Sequence, residues 1–157
     1  MKYLRIFFAY LVCFLIQNAF LNRFDVFGAN INLILSMTIV ITAGRGTWEG
    51  ICFGVLFGLL QDICFSPITG VSALMYLITG AVIMILRQNI YNENRIVLLV
   101  LTVFFTAVYY AGSCLIWETA SGEGVKLLYA LRQVPAAALL NYIFVLSGVK
   151  QYAVEIK

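Results

Sequence analysis

Charge is missing from long stretches of this chain, and that constrains its fold more than any motif does. No Asp, Glu, Lys or Arg occurs from Ile6 to Asn22, nor from Val26 to Gly44. A helix needs about 20 apolar residues to cross roughly 30 Å of hydrocarbon, and these runs approach that length. Of the 157 residues, 63% are hydrophobic and 11% charged, against about 25% charged in soluble domains. A soluble fold of this size keeps too much surface for its volume to hide so much apolar side chain. Lipid removes the difficulty by solvating it. The expected fold is an all-α integral membrane protein, a six-transmembrane-helix bundle forming one domain over residues 1–157.

The remaining charges and breakers mark the spans. They are expected at about 6–22, 26–44, 46–64, 71–86, 96–117 and 128–149. Arg23 and Asp25 sit in a short connection between the first two. Ser66-Pro67 and Gly70 break the chain after the third, since proline ends a helix and glycine helps the turn. Polar loops from Arg87 to Arg95 and from Glu118 to Lys126 separate the rest, and Arg132 and Pro135 fall in the first turns of span six. The first span begins like a signal peptide, but its apolar run is long and no Ala-x-Ala cleavage site follows, so a retained span is expected.

Basic residues set the expected orientation. With the N-terminus inside, the inner connections hold Lys2, Arg5, Arg45, Arg87, Arg95, Lys150 and Lys157, and the outer ones hold Arg23, Lys126 and Arg132. Both termini are therefore expected in the cytoplasm. Trp48 and Trp117 fall at expected helix ends, where interfacial aromatics belong.

Composition also excludes functions. The net charge of +3 comes from dispersed basic residues, not from the stripe a nucleic-acid reader shows. The chain has no histidine, and Cys13, Cys52, Cys64 and Cys114 form no Cys-x-x-Cys pair. No metal site or cofactor is expected, and the cysteines read as small apolar residues within helices. An enzyme would lack the usual general base. Glu49 and Asp62 stand near opposite ends of span three, roughly 20 Å apart, too far to share a proton.

Span three carries the most informative pattern. Glycine recurs at 46, 50, 54 and 58, and Asp62 takes the next step of four. Four residues advance a helix by about 400°, so these positions form one slowly drifting ridge. A ridge without side chains lets another helix approach closely. That neighbour is either a helix of the same chain or one from a partner protein. Asp62 lies in apolar surroundings and should face protein or water. Its roles remain open between binding a substrate, relaying protons, pairing with Arg132, capping the outer loop, and accepting hydrogen bonds from Ser66 or Thr69. Glu49 is expected to form an exposed pair with Arg45 at spacing four.

The stretch containing Gly50, Gly54, Gly58-Leu-Leu-Gln-Asp62, Pro67, Gly70-Val-Ser-Ala-Leu, Tyr76 and Gly80 resembles the MreD family of rod shape-determining proteins. Length, short loops and the apolar N-terminus are similar too. Span two departs from the family pattern, with Ala29-Asn-Ile-Asn-Leu where a proline commonly stands. The resemblance implies a non-catalytic component of the bacterial elongation machinery, located in the cytoplasmic (inner) membrane. It implies association with the bitopic protein MreC, beside MreB, RodA and a class B penicillin-binding protein, in support of peptidoglycan synthesis along the lateral wall. It also implies a bundle similar to the vitamin-binding S-components of energy-coupling-factor transporters. The eight residues named for the resemblance are expected to serve helix packing or partner contact. The alternative is a small-molecule-binding transporter subunit, with a polar pocket drawn from Asn18, Asn32, Gln61, Asp62, Tyr76, Arg132, Gln133 and Asn141.

Overall fold

A computed structural model describes residues 2–19, 31–45, 47–66, 68–90, 95–121 and 127–154. They form six helices: α1 (Lys2–Ala19), α2 (Leu33–Arg45), α3 (Glu49–Phe65), α4 (Val71–Ile90), α5 (Arg95–Ser121) and α6 (Leu127–Val154). No strand occurs among the described residues.

The helices are arranged around α2, which touches all five others. The sequence of α2 explains its place. Leu33, Ile34, Leu35, Ile39, Val40 and Ile41 point in several directions around the helix, and all are buried. A helix that is apolar on every side belongs inside a bundle. Around it, α1 packs on α3, α3 on α4, α4 on α5 and α5 on α6.

The outer helices bury one side and expose another. Ile6 and Tyr10 of α1 face the core, whereas Phe8, Val12 and Leu15 are exposed. On α5, Leu98 and Phe105 are buried, and Val100 and Phe104 are exposed. Leu139 and Ile143 of α6 are exposed as well. Such a girdle of large apolar side chains is an aggregation liability in water and a natural surface in lipid. Ile96–Ile116, 21 residues with mean hydropathy 2.0, is the one described stretch long and apolar enough to cross a membrane by length and composition. The apolar stretches Tyr3–Ala19, Leu33–Gly44 and Val71–Leu86 are shorter.

Span two differs from expectation. A helix from about residue 26 was expected, but α2 starts at Leu33 and residues 31–32 are not helical. Its 13 residues measure about 20 Å, short of a full crossing. Asn32 is the reason. It occupies the N-cap position, where its side-chain Oδ1 accepts the Leu35 N–H at 2.9 Å, and its carbonyl accepts the Ser36 N–H at 3.1 Å. Asparagine is among the strongest N-cap residues. Charge and hydropathy do not report this kind of start. The four cysteines are free thiols, with Cys13 and Cys114 buried and Cys52 and Cys64 exposed.

Candidate functional site: a glycine seam and a buried polar network

The ridge on α3 is filled from within the chain. A Cβ added at Gly50 would stand 2.5 Å from Thr42 Oγ1, and one at Gly54 would stand 2.6 Å from Thr38 Oγ1, both on α2. At Gly58 it would meet Tyr76 Cδ2 at 2.7 Å and Ala73 Cα at 2.9 Å, both on α4. Gly80 of α4 answers in kind, with Ile51 Cγ1 of α3 at 2.6 Å from its added Cβ. The ridge thus drifts from α2 to α4 as it climbs, as the 400° step requires. Of the two neighbours left open by the sequence, the one touching Gly50, Gly54 and Gly58 is the same chain. Gly46 and Pro67 lie outside the described residues.

Asp62 ends this ridge and is 1% exposed. Its Oδ2 accepts two backbone N–H groups, from Gly70 at 3.0 Å and Ser72 at 2.8 Å. Gly70 is the residue whose carbonyl starts α4, since Leu74 N donates to it at 2.9 Å. It sits at φ +99°, in the left-handed region that glycine tolerates. Having no side chain, Gly70 cannot cap its own helix, so Asp62 does so from α3. An anion at a helix N-terminus also meets the positive end of the dipole. Asp62 takes these amides rather than Arg132, Ser66 or Thr69. Ser66 bonds the Ile68 carbonyl instead, at 3.0 Å, and Arg132 is exposed on α6. Glu49 Oε2 accepts the Thr47 hydroxyl at 3.4 Å. The Arg45 side chain lies outside the described set, so its expected pairing with Glu49 does too.

Three donors at the start of α2 are satisfied by side chains from three places. The Asn32 N–H reaches Asn141 Oδ1 of α6 at 3.1 Å. The Ile34 N–H reaches Gln17 Oε1 of α1 at 3.2 Å, and the Leu35 N–H reaches Asn32 itself. An unmet amide in an apolar interior costs several kcal/mol, so this set fixes where α2 begins and which helices surround it. Asn141 extends the network to α5, donating from Nδ2 to Thr106 Oγ1 at 3.2 Å. The Tyr76 hydroxyl donates to Asn32 Oδ1 at 2.9 Å, with Gln61 Oε1 a second acceptor at 3.1 Å. The Tyr76 ring stacks on Tyr109, centroids 5.6 Å apart and planes within 7°. Tyr109 in turn shares a 3.1 Å hydrogen bond with Ser72.

Four of the pocket candidates, Asn32, Gln61, Tyr76 and Asn141, are therefore joined directly, and Asp62 reaches them through Ser72 and Tyr109. Asn18 donates from Nδ2 to the Phe14 carbonyl of its own helix at 2.9 Å. Gln17, Tyr10, Thr106 and Tyr109 carry no sequence motif that singles them out. One signal could have found Tyr10: a buried phenol needs a partner, and its hydroxyl donates to the Gly50 carbonyl at 2.9 Å.

Beside Asp62 a cleft of about 220 Å³ opens between α3, α4 and α5. Gln61, Asp62, Ser72, Tyr109 and Ser113 give it polar walls. Phe65, Ile68 and Val71 supply apolar ones. The Ser113 Oγ is buried and has no hydrogen-bond partner.

No match was found among curated proteins or among solved structures. A family model described as rod shape-determining protein MreD matches residues 2–146, which take in α1 to α5 and most of α6. The glycine seam, Asp62 and the network around Asn32 all fall inside that match, and the chain belongs to the MreD family of membrane proteins.

Proposed function

We propose that this protein is a non-catalytic component of the rod-shape system, a preassembled six-pass bundle in the bacterial cytoplasmic membrane with both termini in the cytoplasm. Its work is to hold a bitopic MreC-like protein within the elongation complex, beside MreB, RodA and a class B penicillin-binding protein, and so to support lateral-wall peptidoglycan synthesis. The family match over residues 2–146 carries the reading. The geometry supports a scaffold, because Asp62, Asn32, Gln17, Tyr76 and Asn141 are engaged in capping α2 and α4 and in joining helices. With the α3 ridge filled internally, the partner's helix would dock on the exposed apolar faces, such as that of Phe8, Val12 and Leu15 on α1.

The transporter reading gains no support from the cleft. At about 220 Å³ it falls below the roughly 300–1,000 Å³ of sites that enclose a whole small-molecule ligand. Copurification in mild detergent tests the proposal. Recovery of a single-span membrane protein together with the wall-synthesis enzymes is expected. Recovery of a transporter's ATP-hydrolysing subunits in their place would overturn it.

A further inference from the structure

Independently of which protein partner it holds, the cleft beside Asp62 has the makings of a site. We propose that it binds the ammonium group of a phosphatidylethanolamine headgroup. Three observations converge. Both amide bonds to Asp62 fall on Oδ2, so the second oxygen keeps its lone pairs for a donor in the cleft that Asp62 lines. The Ser113 hydroxyl on the same wall is buried without a partner. Among the described residues no lysine or arginine contributes to the lining, so a carboxylate or a bare phosphate would meet Asp62 with nothing there to offset the repulsion.

Size and surroundings select the occupant. At about 220 Å³ the cleft is smaller than sites that take a whole small-molecule ligand and suits a lipid headgroup entering from its open side. A primary ammonium offers three N–H donors to a carboxylate and its neighbouring hydroxyls. A choline carries methyl groups there and offers none. The rim continues into lipid-facing surface. Phe65, on the cleft wall, is 58% exposed, and Ile63 beside it is 66% exposed. Leu59 and Leu60 extend the apolar surface along α3, giving the acyl chains a track while the headgroup turns inward.

The full chain in nanodiscs of equal parts phosphatidylethanolamine, phosphatidylcholine and phosphatidylglycerol, released for native mass spectrometry, should retain phosphatidylethanolamine about tenfold over the other two. Ser113→Leu fills the cleft while removing a hydroxyl that bonds nothing within the fold. It should abolish that preference at an unchanged melting temperature. As a second measurement on the wild-type chain in detergent, ethanolamine should raise the melting temperature and choline should not. A rise with ethanolamine alongside equal lipid retention would keep the ammonium site and make a free amine its source. Equal retention of the three lipids with no rise from ethanolamine would overturn the proposal. So would a preference that survives Ser113→Leu in the folded variant.

Discussion

Asp62 shows how one carboxylate can belong in an apolar helix. Its neighbours are two amide groups at the start of another helix, one of them on a glycine held at φ +99°. Asp62→Ala leaves both amides without their acceptor, and a buried unmet donor costs about 1–3 kcal/mol. Asp62→Asn keeps an oxygen in place and loses mainly the interaction of charge with the helix dipole, about 0.3–1 kcal/mol. In detergent the alanine variant should melt well below the wild type and the asparagine variant only slightly below it. Equal losses would show that charge, not the hydrogen bonds, holds the turn. Gly70 was legible as a breaker from its place after Ser66-Pro67. Its service to Asp62 was not, because the sequence gives no distance between residues eight positions apart across a turn.

At the scale of elements, the α3 seam depends on how closely helices approach. Small residues at spacing four allow contact between backbones, and here α2 and α4 use the space. Gly58→Ala places a Cβ 2.9 Å from the Ala73 Cα and 3.0 Å from its nitrogen. Neither can swing aside as a side-chain tip can. Overpacking of this kind costs about 1–3 kcal/mol, and the isolated protein should lose melting temperature accordingly. Gly44→Ala is the control. Nothing lies within 4 Å of its added Cβ, so it should be neutral or gain up to about 1 kcal/mol from helix propensity. The seam could be read directly, because a period of four on a helix is a statement about one face. The late start of α2 could not. Asn32 starts the helix with partners on α4 and α6, while Gln17 of α1 holds the Ile34 N–H beside it, and such long-range partners are invisible in a run of apolar letters. Gln17 and Thr106 are single polar residues in apolar spans, and only the packing brings Gln17 to the start of α2 and Thr106 to Asn141 beside it.

For the whole molecule, burying its polar groups internally leaves a lipid-facing apolar surface and few soluble parts. The proposed six passes place the connection near Asn92 in the cytoplasm and the one near Gly122 outside. Reporter fusions at Asn92 and at the C-terminus should therefore signal cytoplasmic, and a fusion at Gly122 should signal external. An external signal at either of the first two would reverse the orientation and move the Asp62 cleft to the cytoplasmic face. The central claim, that this bundle serves cell shape, is tested most directly by depleting it from its own bacterium and measuring cell width as growth continues. Rods should widen and round while growth proceeds, and the wild-type chain supplied in trans should restore their width. Cells that keep their rod form and width after the protein is gone would contradict the account.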